Sequence, residues 1–197
     1  MTLPPVEQPG PVDHADPTQV AAVVEAARAV APLRGRTVVV AVDGRSGSGK
    51  TLLGSAVAAA LGCPVVHLDE IYPGWDGLQE GVALATAHVL EPLAQGRRAA
   101  YPRWDWMRSR PGRTIAVDPG THLVLEGCGS LVPPADRYAA LRVWVDAPTA
   151  LRKQRALSRD GETYAPHWDR WAAQEDAAYA GVRPWESADL VLRTVTH

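Results

Sequence analysis

One run of eight residues has the types and spacing needed to bind a chain of phosphates. It reads Gly44-Arg45-Ser46-Gly47-Ser48-Gly49-Lys50-Thr51 and matches the pattern G-x-x-x-x-G-K-[ST]. Glycines allow the backbone to pass close to phosphate oxygens and to point successive N–H groups at them. A helix that starts near Lys50 adds the positive end of its dipole. The ammonium of Lys50 is expected to reach the β- and γ-phosphates, and the Thr51 hydroxyl to ligate magnesium.

The sequence therefore predicts a site for ATP with Mg²⁺ as cofactors. The predicted nucleotide-binding residues are Gly44, Ser46, Gly47, Ser48, Gly49, Lys50, Thr51 and Leu52. The alternative is a purely structural role, in which this stretch is a glycine turn that joins a strand to a helix. No N-K-x-D sequence for reading guanine occurs, and the third predicted strand ends in Glu126-Gly127 rather than in an Asp-Glu pair. These features favour a small-molecule kinase over a GTPase or a transport ATPase. A nucleotide-dependent switch remains an alternative of another class.

The elements that must position this loop follow from hydrophobic patterning. Residues 37–42 form a β-branched run of the kind found in strands buried on both faces of a parallel sheet. The predicted strands are 37–42, 64–68, 122–125, 141–145 and 189–192, and the predicted helices are 18–30, 50–61, 78–94, 148–158 and 167–180. Segments 101–104 and 113–117 are expected to form a hairpin, and Thr18 to cap the first helix. Strands alternating with helices predict an α/β fold with a five-stranded parallel sheet flanked by helices.

Composition sets the limits of the function. The chain has 197 residues, a net charge of −2, 46% hydrophobic and 21% charged residues. This balance predicts no nucleic-acid partner and no membrane partner, and the lack of a secretory signal pattern predicts a cytoplasmic protein. The proline-rich residues 1–16 are expected to be a loosely ordered tail, and residues 17–197 a single domain. Oligomeric state does not follow from the sequence.

Five stretches, in order along the chain, resemble the uridine kinase and phosphoribulokinase group of P-loop kinases. They are Val42-Asp43-Gly44 with the glycine-rich loop; Asp69-Glu70-Ile71-Tyr72; Pro102-Arg103-Trp104-Asp105-Trp106 with Arg110; Val124-Leu125-Glu126-Gly127; and Val145-Asp146 with Arg152, Arg155, Arg159 and Asp160. The resemblance implies a P-loop NTPase fold with a lid, and transfer of the ATP γ-phosphate to a hydroxyl of a small molecule.

The resemblance also implies a role for each matching position. Asp69 would be the general base beside the metal, and Glu126 would hold the metal through water. Arg155 and Arg159 would close over the transferred phosphoryl group. With the loop residues, the implied catalytic set is Lys50, Asp69, Arg155 and Arg159, and the metal set is Thr51, Asp69 and Glu126. The carboxyl ends of parallel strands, where Asp69 and Glu126 fall, are where open α/β sheets bind ligands.

The acceptor side is where the chain departs from the family pattern. The stretch from Trp104 to Arg110 is shorter than the family's and lacks its base-contacting histidine. The predicted acceptor contacts are Tyr72, Trp104, Asp105, Arg108 and Arg110. Trp104 either stacks on a ring or covers the core, and the arginines of this loop either receive a phosphate or are solvated. A nucleoside-type acceptor is therefore the first expectation, with a nucleoside monophosphate or a sugar phosphate as the alternative. His67 is interpreted as a hydrogen-bonded histidine rather than a catalyst.

Overall fold

A computed structural model describes residues 14–194. The strands are β1 (Val38–Asp43), β2 (Val65–His67), β3 (Ala99–Asp105), β4 (Arg110–Val117), β5 (His122–Glu126), β6 (Ala139–Asp146) and β7 (Leu190–Arg193). Five of them form one sheet in the order β2-β5-β1-β6-β7, and all neighbouring pairs are parallel. The predicted five-stranded parallel sheet is confirmed, as is the predicted hairpin, which β3 and β4 form as an antiparallel pair.

The α-helices lie between these strands. They are α1 (Pro17–Ala29), α2 (Lys50–Leu61), α3 (Leu78–Ala85), α4 (Glu91–Ala94), α5 (Thr149–Asp160), α6 (Trp168–Ala180) and α7 (Pro184–Ser187). A π-helical stretch, Thr86–Leu90, joins α3 to α4, and short 3₁₀ turns occur at Leu68–Glu70, Ala135–Tyr138, Gly161–Thr163 and Ala165–His167. No helix within residues 14–194 combines the length and the apolar character needed to cross a bilayer.

The central strand β1 is buried along its whole length, which explains its unbroken β-branched sequence. Val40 and Val42 pack with α1 and α2 on one face of the sheet. Val39 points to the other face and joins a second core with Leu123 and the α3 side chains. The apolar side chains on both faces of the strand are therefore removed from water, and this burial fixes the strand's register.

Two local predictions need correction. The N-cap of α1 is Asp16, whose Oδ1 accepts the Thr18 N–H at 2.8 Å, while Pro17 takes the first helical position. Proline suits that position because its missing N–H would have had no helical acceptor. The helix predicted over 78–94 contains the π-helical stretch because the Thr86 hydroxyl donates to the Val82 carbonyl and Pro92 has no N–H to continue the ladder. Most of the predicted tail lies outside the described residues.

The strand register brings the chemistry to one edge of the sheet. Val42 is level with Glu126 across the β1–β5 pair, and His67 is level with Glu126 across the β2–β5 pair. The loop after β1, which we call the phosphate loop (residues 44–51), therefore starts beside the last residues of β5 and β2. Parallel strands place all these ends together.

Candidate active site

The phosphate loop is shaped by glycines in the left-handed region. Gly47 has φ 78° and Gly49 has φ 99°, values that disfavour any residue with a Cβ. A Cβ on Gly47 would also lie 2.1 Å from the carbonyl oxygen of Arg152. Within the described residues, the N–H groups of Gly47, Gly49, Lys50 and Thr51 donate to no acceptor. The loop thus presents several free donors at the start of α2.

Two side chains complete this set of donors. The Ser48 Oγ is buried and has no hydrogen-bond partner among the described residues. Lys50 is only 8% exposed. A buried orphan hydroxyl, unpaired amides and a confined ammonium together fit an anion with many oxygens, such as a nucleotide polyphosphate.

The charge of Lys50 is held in place by carboxylates. Burial alone lowers the pKa of its ammonium, but the negative groups around it outweigh burial and raise the pKa above the usual value. The nearby Cys128 thiol is buried, which raises its own pKa, so it carries no charge near neutral pH. Glu126 and Glu175 therefore supply most of the field that keeps Lys50 charged.

A cluster of side chains that could ligate a metal lies within electrostatic range of Lys50. His67, Asp69 and Glu126 each offer a ligand atom, and these atoms lie within 4.8 Å of one another. Glu126 is 2% exposed; its Oε2 accepts a hydrogen bond from the Thr51 hydroxyl at 3.3 Å. Its Oε1 lies 2.5 Å from the His67 Nδ1, and this bond raises the pKa of His67. The predicted metal residues Thr51, Asp69 and Glu126 are thus brought together, and the oxygen donors suit Mg²⁺.

Asp69 lies in the 3₁₀ turn that follows β2, with its side chain open to solvent. Although the residue is exposed, neighbouring groups partly desolvate its carboxyl, and this desolvation, together with the charge of Glu126, raises the pKa of that carboxyl; the charges of His67 and Lys50 lower it. A carboxylate with a raised pKa, close to the ammonium of Lys50, is suited to accept a proton from a hydroxyl. Its main-chain carbonyl accepts the Trp106 Nε1–H at 2.8 Å, which ties the hairpin to this turn.

Asp43, the last residue of β1, anchors the start of the phosphate loop. It is fully buried and accepts the N–H groups of Gly44 and Leu131 at 2.7 Å and 2.8 Å. It also accepts the Tyr179 hydroxyl at 2.7 Å. Burial raises the pKa of Asp43 to about 6, while these hydrogen bonds oppose the rise. Asp43 is therefore a structural carboxylate, ionised at neutral pH.

The arginines of α5 divide into three environments. Arg152 is buried and donates to the Ser46 carbonyl. Arg155 donates to the Thr194 hydroxyl at 2.8 Å, and burial lowers its pKa. Arg159 pairs with Asp160, and this pairing raises the pKa of Arg159. The charge of Asp69 makes a smaller contribution in the same direction. Of the two predicted catalytic arginines, Arg159 is near enough to Asp69 for the two charges to interact, and Arg155 is linked to the phosphate loop through Thr194, whose hydroxyl donates to the Ser48 carbonyl.

Two of the predicted acceptor contacts, Tyr72 and Trp104, are buried or partly buried. Tyr72 is 3% exposed, and its hydroxyl donates to the Cys128 carbonyl at 2.7 Å. Its ring packs on Trp171, so it belongs to the core and the prediction that it contacts the acceptor is not supported by its position. Trp104 lines a cavity of about 320 Å³ between α3 and the hairpin.

Ion pairs occupy much of the basic loop. Arg103 pairs with Glu70 at 2.9 Å, and Arg108 pairs with Asp105 at 2.9 Å. The bonds from Arg108 lower the pKa of Asp105. Arg110 is exposed and forms no ion pair with the described residues. The positive charge that this loop would offer to an acceptor phosphate is therefore partly neutralised.

An aromatic cluster that the sequence did not single out lies next to Asp69. Trp75 stacks on His167 and on Tyr164, both with an interplanar angle of 14°, and it packs against Trp106 at 4.8 Å between ring centroids. Trp75 thereby joins the hairpin to the segment after α5. A tryptophan next to an Asp-Gly turn gives no local signal for such a role.

Glu175 is the second residue that the sequence did not identify. It lies on α6, is 1% exposed, and its Oε1 accepts the N–H of Ser46 in the phosphate loop at 2.7 Å. One signal existed, because Trp168, Trp171, Glu175 and Tyr179 recur at three- and four-residue intervals. A glutamate on such an apolar face must find a buried partner.

Comparison with known proteins supports the fold. No family model matches the chain, and no curated protein matches it. A solved structure described as a possible uridine kinase from Bacillus stearothermophilus is similar, with 19% identity, a TM-score of 0.65 and coverage of 89% of this chain and 97% of that one. A putative fructose transport system kinase from Silicibacter sp. TM1040 has 21% identity, a TM-score of 0.57 and coverage of 89% and 99%. The chain therefore shares the fold of these two structures, a parallel sheet flanked by helices with a P-loop.

Proposed function

We propose that this protein is a kinase, with residues 17–197 as a single domain, that transfers the γ-phosphoryl group of ATP to a hydroxyl of a nucleoside-like small molecule. The observation that carries the proposal is the arrangement around Lys50. Free amides of the phosphate loop occur beside this buried ammonium, and the carboxylates of Asp69 and Glu126 are near enough for their charges to interact with it. The likeness to a possible uridine kinase agrees with this assignment.

The chain's own residues divide the work of the transfer. The amides of Gly47 and Gly49, with Lys50, bind and orient the polyphosphate. Asp69 takes the proton of the acceptor hydroxyl. As it does so, the acceptor oxygen bonds to the γ-phosphorus, and the bond between that phosphorus and the ADP oxygen breaks. Thr51 and Glu126 would hold Mg²⁺, which supplies charge neutralisation on the phosphates.

Arginines are proposed to act late in the transfer. Arg159, whose charge interacts with that of Asp69, would stabilise charge on the transferred group when α5 closes over the site. Arg155 lies beside Thr194 and Ser48 and would need to move to join it. Closure would exclude water and so favour the acceptor hydroxyl over hydrolysis.

An acceptor panel tests the proposal. ADP release stimulated by a nucleoside supports it, whereas stimulation only by monophosphates or sugar phosphates would move the assignment to the second acceptor class. The pairing of Arg103 and Arg108 with acidic neighbours argues against that class. Tight nucleotide binding without any acceptor-stimulated turnover would identify a nucleotide-dependent switch instead.

Asp69→Asn tests the chemical role within the same assay. The variant keeps the shape of the side chain but cannot accept a proton, so turnover should fall by about a hundredfold or more. ATP affinity should stay close to that of the wild type, because Asp69 contacts no donor of the phosphate loop. Turnover at the wild-type rate would show that another group is the base.

A further inference from the structure

Helix α6 lies far along the chain from the phosphate loop but contacts its backbone directly. The carboxylate of Glu175 accepts the Ser46 N–H at 2.7 Å and the Cys128 thiol at 3.2 Å. Its other oxygen lies 3.6 Å from the Arg45 guanidinium. A carboxylate that is 1% exposed costs free energy to bury. Its position behind the loop therefore calls for a function.

The hydrogen bond to Ser46 separates two kinds of amide in the loop. The Ser46 N–H donates a hydrogen bond to Glu175, whereas the N–H groups of Gly47 and Gly49 have no acceptor among residues 14–194. The rest of Ser46 is held as well: its carbonyl accepts from Arg152, and its hydroxyl accepts from Tyr164. Ser46 is thus fixed at every polar group, and the free amides begin directly after it.

We propose that Glu175 is a positioning residue of the phosphate loop, an inference that rests on the proposed binding of a nucleotide polyphosphate there. Its hydrogen bond fixes the Ser46 peptide away from the phosphates, so that the following amides converge on them. Preorganised donors bind an anion more tightly than donors that must first reorient.

The same carboxylate has a second, opposite effect. Its negative charge lies near Lys50 and contributes to the raised pKa of that ammonium. A buried negative charge behind the loop must also repel the incoming polyphosphate. The hydrogen bond therefore strengthens nucleotide binding while the charge weakens it. Two substitutions separate these effects.

Glu175→Gln keeps an oxygen that accepts the Ser46 N–H but removes the charge. Glu175→Leu removes both while keeping a side chain of similar volume. For Glu175→Leu we expect the Kd for ATP with Mg²⁺ to rise by about tenfold or more, the loss expected when a buried donor is left unpaired. For Glu175→Gln we expect a Kd equal to that of the wild type or lower.

The measurement is equilibrium binding of ATP with Mg²⁺ by calorimetry, with the thermal unfolding midpoint of each nucleotide-free variant. Asp176→Asn is the matched control, because this neighbouring carboxylate is 69% exposed and pairs with Arg45 without touching the loop backbone. Its Kd should equal that of the wild type.

The outcomes distinguish the inference from the proposed function. If the wild type does not bind ATP with Mg²⁺, the proposed function fails. If the wild type binds and Glu175→Leu is folded and binds equally well, the positioning role is wrong. A higher Kd for both variants would mean that the charge itself is needed, which also overturns the inference. If Glu175→Leu does not fold, Glu175→Gln decides: a Kd more than about threefold above that of the wild type contradicts the proposal.

Discussion

At the scale of single residues, the two lysines of the chain provide a direct contrast. Lys50 is buried in the phosphate loop, whereas Lys153 is exposed on α5 and lies over the Trp168 ring. Both carry one charge, but only Lys50 lies among free backbone amides. The functional importance of a lysine in this chain therefore depends on its surroundings.

Lys50→Ala should raise the Kd for ATP by at least about tenfold, because a charged hydrogen bond to phosphate is worth about 1.5–3 kcal/mol. Lys50→Arg should not restore binding, since a planar guanidinium does not fit a confined site shaped for an ammonium. Lys153→Ala is the control and should bind ATP like the wild type. Titration with a fluorescent ATP analogue measures all three, and wild-type affinity in Lys50→Ala would remove Lys50 from the site.

The local arrangement of candidate residues was predictable where they are contiguous in sequence. Gly44 to Thr51 could be identified because the eight positions follow one another and each has a physical requirement. Tyr72 was placed on the acceptor side because its neighbours in sequence do not reveal that its ring packs on Trp171, a residue 99 positions later. Glu175 was missed for the same reason, since its partner Ser46 is 129 residues away.

At the scale of elements, α6 is joined to the end of β1 through Tyr179 and Asp43. The Tyr179 hydroxyl donates to Asp43 and accepts the Gly129 N–H at 3.1 Å. The pKa of Asp43 is raised from 3.8 to about 6 in the folded chain. A raised carboxyl pKa favours the folded state most at low pH, and this contribution is lost as pH rises from about 4 to about 6.

Tyr179→Phe removes a donor that lowers the pKa of Asp43, so the pKa in the folded state should rise further. The substitution should therefore cost more stability at pH 7 than at pH 4, with a cost of about 1–2 kcal/mol at pH 7. Urea unfolding of the variant and the wild type at both pH values measures this difference. Tyr138→Phe is the control, because the Tyr138 hydroxyl has no hydrogen bond within the described residues. A cost that is independent of pH would contradict the coupling between Tyr179 and Asp43.

The hairpin makes a comparable link on the acceptor side. Trp106→Phe removes the hydrogen bond to the Asp69 carbonyl but keeps a ring that can pack against Trp75. We expect kcat to fall by about fivefold to tenfold. The lost hydrogen bond contributes about 1 kcal/mol to holding the Asp69 backbone, and without it the base is less well positioned. The Kd for ATP should not change. Met107→Ala at the 97% exposed tip of the hairpin is the control, and unchanged kcat in Trp106→Phe would show that this contact does not position Asp69.

The elements themselves were largely predictable. Helix α2 begins at Lys50 and ends at Leu61 as expected, because the glycine-rich loop precedes it and Gly62 takes a left-handed conformation after it. The β-branched run of β1 predicted a strand buried on both faces. The π-helical stretch in the third predicted helix was not predictable from periodicity, since it depends on one hydroxyl that bonds a backbone carbonyl and on one proline that lacks an N–H.

At the scale of the whole molecule, α6 connects both sides of the proposed active site. Glu175 contacts the phosphate loop, and the preceding residue, Gln174, contacts the acceptor side. The Gln174 side chain accepts the Leu78 N–H at 3.2 Å and donates to the Trp75 carbonyl. Adjacent residues of one helix thus contact the phosphate loop and the segment that follows Asp69. We therefore expect a movement of the phosphate loop to be transmitted to that segment.

Hydrogen exchange tests this connection. On binding ATP with Mg²⁺, the wild type should show slower amide exchange in the phosphate loop, in α6 and also in residues 72–80. Within residues 14–194, this last segment has no hydrogen bond or ion pair with the predicted nucleotide-binding residues. Gln174→Ala should keep the protection of the phosphate loop and lose the added protection of residues 72–80, because α6 is then no longer bonded to that segment. Gln154→Ala, at an exposed position on α5, is the matched control and should retain both responses. If residues 72–80 stay equally protected in Gln174→Ala, the two sides must be coupled through Asp69 and the sheet rather than through α6.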